Sequence, residues 1–291
     1  MRVSIQDLKK MKRRGERIAM LTCYDYPTAR MFDEAGIPLL LVGDSLGNVI
    51  LGYETTIPVT LEDIIHHCRA VIRGTTRALV VADLPFLTYQ ISENQALGNA
   101  ARLIQEGGAQ AVKLEGGAEL AATVERIVGA GIPVMGHLGL TPQSFNQMGG
   151  FHVQARTTRT IQRIVNDALA LEAAGAFSVV LECIPAPVAK LISQSLSIPT
   201  IGIGAGPDCD GQVQVIGDLL HLGDGELPRH ARPYAEIGAL VRNAAIRYAA
   251  DVTEGAFPGE AESFALPKQV DLADIEIDAA GARVPKRSAI D

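Results

Sequence analysis

In the run Ala111-Val112-Lys113-Leu114-Glu115 a cation and an anion stand two residues apart within an otherwise apolar stretch. On a β-strand residues i and i+2 share a face, so Lys113 and Glu115 are expected to point the same way. A buried charge needs a partner or a ligand, because isolating it is strongly unfavourable. A structural Lys/Glu ion pair would meet that need. Four other apolar runs also close on ionisable groups: residues 39–44 end in Asp44, 79–83 in Asp83, 133–137 in His137 and 178–182 in Glu182.

If those ends meet, Asp44, Asp83 and Glu115 share one pocket, and three carboxylates repel unless a cation or a proton joins them. An oxygen-only set of this size suits a hard divalent cation such as Mg2+ that keeps open positions for water or substrate oxygens. Lys113 beside it favours an anionic ligand. A 2-oxo acid satisfies both demands, since its carboxylate and keto oxygens chelate the metal together and the neighbouring C–H becomes more acidic as the enolate is stabilised. Glu182 ends a strand of Val and Leu, where desolvation would raise its pKa, and is the candidate general base. The alternative for Glu182 is a helix-capping or ion-paired carboxylate. His137 is a substrate donor, a supporting group or an interior histidine with its bonds satisfied. The glycine run 202–206 (GIGAG) could cradle a phosphate. It lacks a following Lys-Ser/Thr and the spacing of a dinucleotide fingerprint, so neither ATP nor NAD follows from it.

The elements that must position these residues are legible from periodicity. A capped helix over residues 4–15, with Ser4 and Asp7 as a capping box and Gly15 as its stop, precedes the repeating part. Apolar runs at 18–24, 39–44, 78–82, 111–115, 133–137, 177–181, 200–206 and 213–216 then alternate with helical patterns, and the last run leads to Asp218. Strand and helix alternating over roughly 230 residues predict a (β/α)8 TIM barrel, whose strand ends converge on one mouth. The competing topology is a doubly wound open sheet, which gathers polar ends at a switch point. The longest irregular stretch, residues 138–153 (LGLTPQSFNQMGGFHV), is expected to be a functional loop. A terminal helix over 235–249 follows, and residues 278–291 read as a disordered tail. The organisation is thus an N-terminal helix (1–17), a barrel (18–252) and a partly disordered C-terminal extension (253–291).

Composition narrows the function classes. The chain of 291 residues is 47% hydrophobic and 20% charged, as in ordinary globular proteins. Its net charge of −7 argues against a nucleic-acid surface, and the basic cluster at residues 9–17 reads as a solvated face. No apolar run approaches the roughly 18 residues that span a bilayer, and residues 18–21 are too short for a signal peptide core. Cys23, Cys68, Cys183 and Cys209 lack metal-ligand spacing and are read as reduced cytosolic thiols, mostly buried.

Several long motifs, in order, are more specific than any of these patterns. VGDSLGN (42–48), Pro58-Val59-Thr60, ADLPF (82–86), VKLEGG (112–117), GHLGLTPQS (136–144), Gly149-Gly150 and LECIP (181–185) closely resemble the ketopantoate hydroxymethyltransferase family over roughly residues 2–265. The resemblance implies a barrel of the phosphoenolpyruvate/pyruvate superfamily. It also implies transfer of a hydroxymethyl group from 5,10-methylenetetrahydrofolate to 3-methyl-2-oxobutanoate, giving 2-dehydropantoate and tetrahydrofolate through a Mg2+-stabilised enolate, in pantothenate biosynthesis. Residue by residue, it places metal ligands at Asp44, Asp83 and Glu115, 2-oxo acid contacts at Ser45 and Lys113 together with Asp44 and Asp83, and the proton acceptor at Glu182. His137 falls within the substrate-site motif. The family is cytoplasmic in bacteria and forms a homodecamer of two stacked pentameric rings. Residues 207–222 depart from its usual pattern. Two other classes are a carbon–carbon lyase acting on a 2-oxo acid without folate, and a non-catalytic metabolite-binding barrel, against which the presence of Glu182 counts.

Overall fold

The structure, a computed structural model, describes residues 1–150, 152–223, 225–277 and 283–285. The chain divides into two units, residues 1–238 and 239–291. In the first, eight strands are β1 (Ile18–Thr22), β2 (Leu39–Val42), β3 (Leu79–Asp83), β4 (Ala111–Glu115), β5 (Val134–Gly139), β6 (Ser178–Glu182), β7 (Thr200–Ile203) and β8 (Gly211–Gln214). Each pairs in parallel with the next and β8 returns to β1, closing a barrel rather than an open sheet. Helices α1 (Ile5–Arg14), α2 (Tyr26–Glu34), α4 (Leu61–Gly74), α5 (Glu93–Gln105), α6 (Ala121–Gly129), α8 (Thr158–Ala173) and α9 (Ala186–Ser195) accompany the strands. Short helices α3 (Leu46–Val49), α7 (Phe145–Met148) and α10 (Ile216–Leu219) follow β2, β5 and β8.

Side-chain alternation along the strands builds two cores. Val80, Ala82, Val112, Leu114, Val179 and Leu181 face outward into a cluster with helix residues such as Ile64, Leu103, Ile127 and Leu171. Met20, Leu39, Leu41, Val81, Ala111, Met135, Val180 and Ile201 face inward, where Leu8 of α1 packs against them. With both faces covered, the strands appear in the sequence as unbroken apolar runs. α1 is held in place by its predicted Ser4/Asp7 capping box, and Lys12 Nζ donates to the carbonyls of Ser193 and Ile198 and to Asp210, each at 2.9 Å.

One carboxylate is structural. Asp33 of α2 is 5% exposed and accepts the backbone N–H groups of Thr76, Arg77 and Ala78, tying α2 to the start of β3. Burial alone would raise its pKa, but these bonds outweigh it and hold the carboxyl below its usual range. Replacing Asp33 by Ala is expected to cost about 2–4 kcal/mol, because three N–H groups lose an ionised acceptor. With a folded-state pKa below the unfolded value, the contribution is fully present above about pH 4 and fades as pH falls through the folded pKa. Urea melts of both proteins at pH 7 and pH 3 check this; a gap that stays constant with pH would refute it.

The eighth strand lies two residues earlier than predicted. Gly211 pairs with Ile18, and a Cβ there would collide with the Ile18 carbonyl, so close packing of β1 selects a residue of low strand propensity. Asp218 consequently sits on α10 rather than at a strand end. α11 (Ile237–Glu254) runs further than the predicted 235–249. Within the tail expected to be disordered, Arg283–Pro285 (β10) pairs antiparallel with Ile275–Ile277 (β9); the remainder of 278–291 lies outside the described residues. All four cysteines are free thiols, three of them buried. Among the described residues no helix is long and apolar enough to cross a membrane.

Candidate active site

Register places the ionisable strand ends beside one another. Asp83 is opposite Lys113, Glu115 opposite His137, and Gly139 opposite Glu182. Because Val81, Ala111, Met135 and Val180 point into the barrel, the residues two positions on, Asp83, Lys113, His137 and Glu182, do so too, and Glu115 follows Lys113. Asp44 joins them from the turn after β2, where its backbone N–H donates to Asp83 Oδ2 at 2.9 Å. Gly139 adopts φ +99°, and a Cβ there would strike the Glu182 backbone. That close approach lets Leu140 N–H donate to the Glu182 carbonyl at 2.9 Å and anchors the end of β6.

The cluster is dry and densely charged. Asp44, Asp83, Lys113, Glu115 and His137 are between 1% and 6% exposed. Lys113 Nζ lies 2.6 Å from Asp83 Oδ1 and 3.8 Å from Glu115 Oε1. His137 stands between two acids, with Nδ1 3.3 Å from Glu115 Oε1 and Nε2 3.1 Å from Glu182 Oε2. Burial and the charges of Asp83 and Glu115 push the Asp44 carboxyl well above its usual range. Burial raises Asp83 as well, against the pull of Lys113. Burial would also raise Glu115, but His137, Lys113 and the Gln143 N–H outweigh it and hold the carboxyl low. Burial disfavours charge on Lys113, yet the surrounding carboxylates overcome this and keep it firmly protonated. For His137, burial and Lys113 act downward and the flanking Glu115 and Glu182 upward, leaving it at about 9.

These residues line a cavity of about 550 Å3 at the carboxyl end of the barrel. Its walls are largely apolar and include Leu41, Leu140, Phe145, Val180, Ile203 and Val213, with Arg229 and His230 also lining it. Ser45, half-buried, borders the cavity and is held by Tyr24, whose hydroxyl is 2.7 Å from its Oγ. The structure thus brings together all seven residues singled out in the sequence: Asp44, Ser45, Asp83, Lys113, Glu115, His137 and Glu182. The glycine run at the end of β7 and just after it is packed, with Gly202 against Cys209 and Gln212, Gly204 against His230 and Gly206 against Ala186. Close packing accounts for these glycines without a phosphate.

Three functional neighbours were not legible from periodicity. Gln143, 3% exposed, donates from Nε2 to Asp44 Oδ2 at 2.8 Å and from its backbone N–H to Glu115 Oε2 at 3.0 Å. Tyr89 OH lies 2.7 Å from Gln143 Oε1, and Tyr24 fixes Ser45. Two signals bore on Gln143: it belongs to the long irregular stretch marked as functional and to the GHLGLTPQS motif (136–144).

The donor set fits a hard divalent cation. Asp44, Asp83 and Glu115 offer only oxygen; burial raises the pKa of two of them, and for Asp44 the neighbouring Asp83 and Glu115 charges add to it. Asp83 Oδ1 and His137 Nε2, though close to Lys113 and Glu182, have no aligned hydrogen-bond partner. Among the described residues no three acid, imidazole or thiolate groups are arranged to hold a metal ion as they stand; the Lys113 ammonium stands among the acids instead.

Comparison with known proteins agrees with the motifs. A 3-methyl-2-oxobutanoate hydroxymethyltransferase of Dehalococcoides mccartyi is 57% identical over 270 residues, covering 93% of this chain and 97% of that protein. In fold the chain is similar to a phosphonopyruvate hydrolase solved with oxalate and Mg2+ (TM-score 0.58, 13% identity, 90% and 93% of the two chains). It is likewise similar to 2,3-dimethylmalate lyase, a member of the PEP mutase/isocitrate lyase superfamily (TM-score 0.55, 17% identity, 94% and 93%). At those identities the likeness is one of fold alone. The model of the ketopantoate hydroxymethyltransferase family matches residues 2–260, and with a relative this similar over nearly the whole length, the chain belongs to that family.

Proposed function

We propose that the cavity transfers a hydroxymethyl group from 5,10-methylenetetrahydrofolate to 3-methyl-2-oxobutanoate, giving 2-dehydropantoate and tetrahydrofolate with one water consumed, as a step of pantothenate biosynthesis. The observation that carries this is the gathering of Asp44, Asp83, Glu115, Lys113, His137 and Glu182 at one rim in a chain of this family. The protein would act in the cytoplasm as a homo-oligomer, a decamer by family resemblance, with small molecules as its partners.

Asp44, Asp83 and Glu115 would hold Mg2+. When bound, the ion supplies Lewis-acid stabilisation of the negative charge that develops on the keto oxygen. Lys113 carries the positive charge that receives the substrate carboxylate, and Ser45, its hydroxyl fixed by Tyr24, adds a donor of set direction. Glu182, with 14% of its side chain exposed, takes the C3 proton, and His137 holds it from the inner side. The apolar wall of Leu41, Val180, Ile203 and Val213 excludes water from the reacting carbon.

The test follows the C3 proton of 3-methyl-2-oxobutanoate by NMR in deuterated water without folate, with and without Mg2+. Exchange is expected only with Mg2+; equal exchange after chelation would remove the cation from the mechanism. Adding the folate donor should then yield 2-dehydropantoate. Cleavage of the oxo acid with no folate present would replace transfer by a lyase reaction.

A further inference from the structure

The three acids share a pattern in how they are held. Each has one carboxylate oxygen tied by an uncharged N–H donor: Asp83 Oδ2 by the Asp44 backbone, Asp44 Oδ2 by the Gln143 side chain and Glu115 Oε2 by the Gln143 backbone. Neutral donors orient a carboxylate without cancelling its charge, leaving it available to a cation. Gln143 supplies two of these three ties, to acids on two different strand ends. Its amide has only one productive orientation: turned over, the oxygen would face the Asp44 carboxylate. Tyr89, 1% exposed, supports that orientation: its OH donates to Gln143 Oε1 at 2.7 Å, and the hydroxyl oxygen accepts the Glu115 backbone N–H at 3.2 Å and lies 3.0 Å from the Glu115 carbonyl, which anchors it to β4. A fourth bond, Gln143 Nε2 to the Leu84 carbonyl at 3.0 Å, attaches the amide to the chain just after Asp83.

We infer that Gln143 is a positioning residue for the divalent cation: its amide and backbone N–H together set where Asp44 and Glu115 stand, and Tyr89 sets which way the amide faces. This rests on the function proposed above. It makes Gln143 part of the cation site although it need not touch the ion. It also explains why a glutamine is buried where a leucine would pack with less desolvation.

The experiment titrates Mn2+ into the metal-free protein by calorimetry, with Gln143→Ala, Tyr89→Phe and Asp83→Ala alongside the unaltered chain. Gln143→Ala keeps the backbone tie to Glu115 and loses the side-chain tie to Asp44. It is expected to weaken Mn2+ binding by about 10- to 100-fold. Tyr89→Phe, which keeps the ring and the fold, should weaken it by a smaller factor in the same direction. In the exchange assay the Mg2+ concentration at half-maximal rate should rise by a similar factor, while the rate at saturating Mg2+ falls much less. A residue that only supported the fold would lower the melting temperature and leave Mn2+ affinity unchanged. That result in a folded Gln143→Ala or Tyr89→Phe protein overturns the proposal. If Asp83→Ala also binds Mn2+ as tightly as the unaltered chain, it is the cation site itself that fails, a separate outcome.

Discussion

Replacing Glu182 by Gln is expected to slow C3 proton exchange by about 10^2- to 10^4-fold, the range over which a positioned base contributes, while Mn2+ affinity stays unchanged. The amide keeps the size of the carboxylate and an oxygen for the imidazole 3.1 Å away, so the pocket should hold its shape and lose only basicity. The backbone is fixed independently of the side chain, through the Leu140 N–H bond to the Glu182 carbonyl. Geometry also disqualifies the nearest competitor. Both His137 nitrogens face acids, Glu115 on one side and Glu182 on the other, and against burial those acids hold the imidazole at about 9, so it is already protonated near neutral pH and takes no proton from a substrate carbon. Parallel loss of exchange and of 2-dehydropantoate formation supports Glu182 as the proton acceptor. Exchange persisting in a folded Glu182→Gln protein would remove it from that role.

What could be seen in advance divides along the kind of information periodicity carries. Lys113 and Glu115 were assigned to one face because a strand repeats every two residues, and the ladder places both inside the barrel. Asp44, Asp83 and Glu182 were visible because each closes an apolar run that only a strand covered on both faces would need. Periodicity gave Gln143 no role, because its bond to Asp44 spans 99 residues and sits in a segment without a period; only its place in that irregular stretch and in the GHLGLTPQS motif marked it. Tyr24 looked like one more strand residue, and its role depends on Ser45 being brought 2.7 Å from its hydroxyl by the next turn. The eighth strand slipped by two residues because Gly211 is chosen for how closely β1 packs on it, a property of the closed barrel. His137 stayed ambiguous for a similar reason: the same residue would read alike as ligand, support or packing until Glu115 and Glu182 appeared on its two sides.

Lys113→Met separates the two jobs assigned to this lysine, and its effects should run in opposite directions. In the metal-free protein Lys113 is the ammonium that stands 2.6 Å from Asp83 and 3.8 Å from Glu115. Methionine fills the space and leaves those buried acids without it, so the variant is expected to lose about 3–5 kcal/mol, as when one member of a buried ion pair is removed. A divalent cation competes for the same carboxylates and is repelled by the same ammonium, so Mn2+ should bind more tightly to the variant than to the unaltered chain. Mg2+ at a hundred times its dissociation constant would then restore about 2.7 kcal/mol, and more of the stability gap should close in the variant than any gain seen in the unaltered chain. Turnover should nonetheless stay low at every Mg2+ concentration, because the positive charge that receives the substrate carboxylate is gone. Urea melts with and without Mg2+, together with Mn2+ calorimetry, measure both halves. A metal-free stability within about 0.5 kcal/mol of the unaltered chain would mean that the acids are neutralised by protons rather than by Lys113. Mn2+ binding weakened in the variant would mean that the lysine does not compete with the cation for the acids.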